Sequence, residues 1–230
     1  MSDQPIALVT GGNRGIGLEV CRQLAAQGYA VVLGSRDEGK GDAAAASLEG
    51  DITVLQLDVA DDESVGAAAA AIDERFGRLD ALVNNAAILY DTSNHAIDVD
   101  LDEVRRGFDT NLLGAWRMVQ AFLPLLRRSE HGRIVNVSSE GGSLASMGAG
   151  TPIYSLSKAS LNGLTRILAA ELERDAILVN AVCPGWTETD MGGPGGRPIS
   201  DGGASVVWAV TLPDDGPTGG FYRDGEPRPW

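Results

Sequence analysis

Lysine is nearly absent from this chain: Lys40 and Lys158 are the only two, and arginine carries almost all the positive charge. Positive charge is itself scarce, with Lys+Arg 18 against Asp+Glu 32 and a formal net charge of −14. The basic residues form no stripe, which argues against nucleic acid or an anionic membrane surface as a partner. An anionic ligand here needs a local set of chosen cations. Cysteine is limited to Cys21 and Cys183, both inside apolar runs, so neither a disulfide framework nor a metal cluster is expected. His95 and His131 lack ligand-type neighbours, and no metal is expected there either. No apolar run approaches membrane-spanning length, and residues 1–5 lead into the first apolar stretch without a basic n-region or cleavage site. These absences predict a soluble, unexported protein of the reducing cytoplasm. No Pro/Ser-rich linker divides the 230 residues, so one domain over 1–230 is expected.

What is present is a rhythm. Short β-branched or Leu-rich runs at 6–9, 30–33, 52–57, 81–83, 134–137 and 177–182 alternate with Ala-rich helical patterns at 15–27, 64–76, 104–126, 154–173 and 200–211. Residues 37–48 predict a further, weaker helix, and 218–223 an edge strand. Such alternation predicts an α/β fold with right-handed crossovers and a parallel sheet covered by helices on both faces. The glycine-rich stretch 186–200 reads as a mobile loop over the site.

Immediately after the first strand comes Thr10-Gly11-Gly12-Asn13-Arg14-Gly15-Ile16-Gly17, opening an amphipathic helix. Glycines allow a tight turn and close backbone approach, and a helix N-terminus points free N–H groups and a positive dipole at a pyrophosphate. The spacing Gly11-x-x-x-Gly15-x-Gly17 departs from G-x-G-x-x-G but keeps its strand-turn-helix context; the rival reading is a turn used only for packing. After the second strand, Ser35 stands where an acid would grip a ribose 2′-hydroxyl, and Arg36 where a 2′-phosphate would sit. Arg14 adds a second cation. A carboxylate would repel that phosphate and guanidiniums bind it, so NADP is expected over NAD. Asp37 leaves an alternative open: turned inward it accepts ribose hydroxyls and restores NAD, and a blander reading pairs it with Arg36 on the surface.

Tyr154 and Lys158 lie four residues apart at the start of a helical pattern, which puts both on one face. An ammonium beside a phenol favours the phenolate, so the Tyr154 pKa is expected below its usual value of about 10. The pair reads as acid/base machinery.

With the glycine turn, Asn84-Asn85-Ala86-Ala87, Asn111, Ser138-Ser139 and Tyr154/Lys158 in this order, the chain resembles the short-chain dehydrogenase/reductase family over nearly its whole length. The run Gly11 to Glu19, then Ser35-Arg36-Asp37, Cys183-Pro184-Gly185-Trp186 and Trp230, resemble its carbonyl-reductase branch. The resemblance implies a Rossmann-type, doubly wound sheet of about seven parallel strands. It assigns cofactor contacts to Gly11, Asn13, Arg14, Gly15, Ile16, Gly17 and Arg36, adenine contacts to Asp58 and Val59, and the back of the cleft to Asn84. Pro184, Gly185 and Thr189 match the segment that cradles the nicotinamide. The catalytic group it implies is Asn111, Ser139, Tyr154 and Lys158, with Tyr154 and Lys158 also touching cofactor. Ser139 to Tyr154 is about two residues longer than the commonest family interval, and Ala87 replaces a usual glycine.

On this reading Tyr154 gives its proton to a developing alkoxide, Ser139 orients the same oxygen, Lys158 lowers the phenol and binds ribose hydroxyls, and Asn111 holds a water leading to solvent. Leu144, Met147, Trp186 and Met191 form either an apolar substrate wall or plain packing. The expected activity is NADP-dependent hydride transfer on an apolar aldehyde, ketone or quinone and its alcohol. The alternatives are a non-catalytic NADP-binding sensor of the same fold, and a relative with non-redox chemistry. Family relatives pair through the helices at 104–126 and 154–173, so a homodimer or homotetramer is expected.

Overall fold

A computed structural model describes residues 4–88 and 90–230. Seven parallel strands, β1 (Ile6–Thr10), β2 (Ala30–Ser35), β3 (Ile52–Gln56), β4 (Ala81–Asn84), β5 (Arg133–Val137), β6 (Leu178–Val182) and β7 (Phe221–Arg223), share one sheet. An eighth, β8 (Glu226–Pro227), pairs antiparallel with β7, and the order across the sheet is β3-β2-β1-β4-β5-β6-β7-β8. The chain therefore winds outward from β1 to β3, then restarts on the other side of β1 at β4. That reversal opens a crevice beyond the carboxyl ends of β1 and β4, the place where sheets of this type hold ligands.

The helices are α1 (Gly15–Ala26), α2 (Glu38–Ala45), α3 (Asp62–Phe76), α4 (Leu101–Phe108), α5 (Ala115–Leu126), α6 (Pro152–Glu171) and α7 (Ile199–Val210). Side chains alternate along β1 and feed two cores. Ile6 and Leu8 join α3, α5 and α6 residues such as Ile72, Phe122 and Leu161 on one face. Ala7 and Val9 join Val20, Leu24 and Val206 of α1 and α7 on the other. Burial on both faces explains why the central strands are continuous apolar runs rather than alternating ones.

Local chemistry sets the helix ends. The Asp37 carboxylate accepts from Lys40 N–H at 3.0 Å and starts α2. Asp61 accepts from Glu63 N–H at 3.0 Å at the head of α3, and Gly77, with φ 71°, stops it. Among the described residues no helix is long and apolar enough to cross a membrane.

Three expectations are corrected. The single helix at 104–126 starts earlier, at Leu101, and carries a π-helical segment, Asp109–Gly114, between α4 and α5. A single widened turn shifts the apolar pattern by only one residue, too small a break for the pattern alone to reveal. The helix expected from 154 begins at Pro152, and the 218–223 strand shortens to Phe221–Arg223 with β8 as an unforeseen partner. Two residues are too few to show an alternation.

Candidate active site

A cleft of about 510 Å³ opens at the strand reversal. Its floor is the glycine turn between β1 and α1. Gly11 and Gly15 adopt φ of 62° and 55°, the left-handed region that side-chain-bearing residues avoid. Gly17 is needed for space: a Cβ there would lie 2.4 Å from the Gly11 carbonyl oxygen and 2.5 Å from Asn85 Nδ2. Gly11, Asn13, Arg14, Gly15, Ile16 and Gly17 all line the cleft.

Asn85 secures this floor. Its Nδ2 donates to the Thr10 carbonyl at 2.8 Å and the Gly11 carbonyl at 3.2 Å. The Thr10 hydroxyl accepts from the N–H groups of Asn85 (2.9 Å) and Ala86 (3.0 Å), tying the end of β1 to the end of β4. Neither Thr10 nor Asn85 was singled out from sequence. Asn84, which was, is buried, and its Nδ2 donates to Asn136 Oδ1 at 2.9 Å. It ends β4 facing inward while Asn85 borders the cleft.

At the end beside β2 and β3 the walls are Ser35, Arg36, Asp37, Lys40, Asp58 and Val59. The Ser35 hydroxyl is spent on the Asp37 carbonyl at 2.7 Å. Asp37 caps α2 and pairs with Lys40 at 3.7 Å, so its carboxylate is already engaged at the helix start. Arg36 is exposed and its guanidinium meets no carboxylate among the described residues. Arg14 instead lies 3.5 Å from Asp190 of the 186–200 loop, both largely exposed, a pair of little energetic weight. Lys40 is the cation that sequence reading passed over. Its signal was present, one helical turn after Asp37.

At the other end, Val137, Ser138, Tyr154, Lys158, Pro184, Thr189 and Met191 complete the cleft. The Ser138 hydroxyl donates inward to Asn162 Oδ1 at 2.6 Å, while Ser139 accepts from Gly141 N–H at 3.1 Å and hydrogen-bonds Tyr154. Gly185, beside Pro184, has φ 77°, and a Cβ there would strike the Arg197 side chain at 2.9 Å. The 186–200 loop is internally bonded: Trp186 Nε1 donates to the Gly192 carbonyl at 2.8 Å, Glu188 N–H to the Arg197 carbonyl at 3.1 Å, and Arg197 N–H to the Trp186 carbonyl at 2.8 Å. Of the apolar candidates, Met191 lines the main cleft, whereas Leu144 and Trp186 are exposed and outside its lining. Met147 lies instead in a separate apolar pocket with Ile97 and Leu156.

The electrostatics correct the expected Tyr154 pKa. Burial pushes the phenol up to about 12, with the Ser139 hydrogen bond opposing it, and burial pushes the Lys158 amine down to about 8. Lys158 Nζ sits over the face of the tyrosine ring, 5.7 Å from its centroid, and donates to the Val137 carbonyl at 2.7 Å. The shared helix face was read correctly, but loss of water outweighs the attraction between the groups. Asn111 lies in the π-helical segment. It exchanges hydrogen bonds with Ile88 N–H (2.8 Å) and carbonyl (3.1 Å), and donates to Ser157 Oγ at 3.0 Å.

A glycine floor open to phosphates, the cations Arg14, Arg36 and Lys40 at one end and a phenol beside an amine at the other suit a nicotinamide dinucleotide. Comparison with known proteins agrees. Residues 5–197 match the family profile described as short chain dehydrogenase. The (+)-neomenthol dehydrogenase of Arabidopsis thaliana is 35% identical, covering 94% of this chain and 95% of that protein. Carbonyl reductase 1 of Mus musculus, which carries NADPH in its name, is 32% identical over 100% of this chain and 99% of its own. The crystal structure of NADPH-bound carbonyl reductase from chicken fatty liver superposes with a TM-score of 0.88 at 28% identity, covering 99% of each chain.

Proposed function

The chain belongs to the short-chain dehydrogenase family and is an oxidoreductase of it, and we propose that it moves a hydride between NADP and an apolar aldehyde, ketone or quinone. The observation that carries this is the convergence of Tyr154 and Lys158 on the cleft floored by the glycine turn. NADP is favoured because Asp37 is engaged in capping α2 while the Arg36 guanidinium meets no carboxylate among the described residues, with Lys40 close by. When bound, the cofactor supplies the hydride.

The protein's share is position and protons. Gly11, Asn13, Gly15, Ile16 and Gly17 offer backbone to the pyrophosphate, Arg14 and Arg36 offer charge, and Asp58 and Val59 bracket the adenine. Pro184, Gly185 and Thr189 back the nicotinamide. Tyr154 donates its proton to the substrate oxygen and Ser139 holds that oxygen and the phenol together. A phenol raised to about 12 keeps its proton at neutral pH, the state that donation to the substrate oxygen requires. Lys158, near 8, exchanges protons close to neutrality and reprotonates the tyrosine. Asn111 fixes the wall at Ile88 through its amide. The strongly acidic protein disfavours anionic substrates, and the assembly is a homodimer or homotetramer.

Steady-state rates of wild type, Tyr154→Phe and Arg36→Ala with NADPH and NADH, using 4-nitrobenzaldehyde as substrate, test the reading. Tyr154→Phe should lose about 100-fold or more in kcat with NADPH affinity retained; unchanged turnover defeats the mechanism. Arg36→Ala should raise KM for NADPH about tenfold and leave NADH alone, and equal losses reject the 2′-phosphate role.

A further inference from the structure

We propose that Asp91, from the loop after β4, is a positioning residue for Tyr154, capping in trans the helix that carries the phenol. The inference rests on the reading of Tyr154 as proton donor.

An α-helix leaves the N–H groups of its first turn without intrahelical partners. In α6 that turn opens with Pro152, which has no N–H, and Ser155 N–H already reaches the Thr151 carbonyl at 2.8 Å. Ile153 and Tyr154 are the two donors left in need. Thr151, the residue in the capping position, serves neither. Its backbone is left-handed, at φ 45° and ψ 49°, and its hydroxyl is engaged with the Ser155 hydroxyl at 2.9 Å. Asp91 supplies both acceptors: Oδ2 takes Ile153 N–H at 3.1 Å and Oδ1 takes Tyr154 N–H at 3.1 Å. One buried carboxylate thus accounts for every orphan donor of the turn, and one of them is the N–H of the reactive residue itself.

The neighbours of Asp91 work on the same target. Tyr90 lays its ring edge-on to Tyr154, centroids 5.1 Å apart at 89°. Ile88, a lining residue of the cleft, is clamped through its N–H and carbonyl by Asn111. This segment connects the cleft wall, the phenol ring and the start of the catalytic helix. Releasing its cap lets the first turn fray and the hydroxyl wander, and misplacement of a reacting group by about 1 Å is enough for a loss near 100-fold.

The test compares Asp91→Asn, which keeps the shape and one oxygen acceptor, with Asp91→Ala, which keeps neither. Turnover of NADPH with 4-nitrobenzaldehyde is counted per NADPH-binding site titrated by fluorescence, so loss of folded protein does not enter. The expected order of kcat is wild type, then Asn, then Ala, the last down about tenfold or more, with the NADPH dissociation constant within twofold throughout. A wild-type kcat per site in Asp91→Ala overturns the inference. Residue-resolved amide exchange needs no turnover: Ile153 and Tyr154 should exchange at least about tenfold faster in Asp91→Ala while Leu161 to Leu168 stay protected, and unchanged protection also overturns it. Wild type lacking turnover would count against the proposed function, with the exchange measurement still deciding the cap.

Discussion

Lys158 is an amine almost wholly removed from water, at 2% exposure, and its consequences are those of a missing solvent shell. Its pKa in the folded protein, about 8, lies below the usual 10.5. Between those values the unfolded chain holds a proton that the folded chain has released, so stability rises with pH across this window. Below about 8 both states are protonated and the full cost of burying the ammonium is present, about 3 kcal/mol. Tyr154 runs the other way: raised from 10 to about 12, it contributes stability below 10 that is lost as pH climbs toward 12. Cys21, raised from 9.0 to about 12, has the same sign as the tyrosine, so the lysine is isolated by difference. Cofactor-free wild type should gain about 3 kcal/mol relative to Lys158→Met between pH 7 and 10.5, read from denaturant melts. A difference flat with pH would contradict the burial.

Elements translate such residues into a site. The β1–α1 turn works because Gly17 permits a contact that no other residue allows, with the Gly11 carbonyl and the Asn85 amide where a methyl would go. Gly17→Ala should still fold, losing about 1–3 kcal/mol to overpacking, and should weaken NADPH binding at least about tenfold because the turn must shift; binding at wild-type strength by fluorescence titration would refute this. The turn was legible in the sequence because its demands are local, namely positive φ and a missing Cβ. The same holds for Tyr154 and Lys158, whose spacing alone puts them on one face. Asn84 and Asn85 show where legibility ends: the last residue of a strand and the next face opposite ways, and a one-residue uncertainty in where pairing stops exchanges inside for outside. Asp91 was out of reach for another reason. Its partners lie 62 and 63 residues away, and nothing near it in the chain announces a helix start. The tyrosine pKa failed on a third ground, since spacing reports which groups are close but not how much water each has lost.

At the scale of the whole molecule, the fold class was readable because the β/α alternation extends over the entire chain, whereas assembly depends on surfaces that no periodicity describes. Leu113 and Trp116, at the join of the π-helical segment and α5, and Leu156 and Ile167 on α6 are exposed large apolar side chains on packed neighbours. We propose that they meet a second copy of themselves. Light scattering of the wild type should give twice 24.0 kDa, and Trp116→Glu with Ile167→Glu should give monomers; a monomeric wild type at tens of micromolar refutes the pairing. The opposite flank of the sheet is finished differently. β8 is two exposed residues long, and Pro227, facing Tyr222, brings no N–H to its outer side. A newly made or crowded chain therefore presents little backbone there for an intruding strand to zip onto, which guards this protein against fibrous self-association.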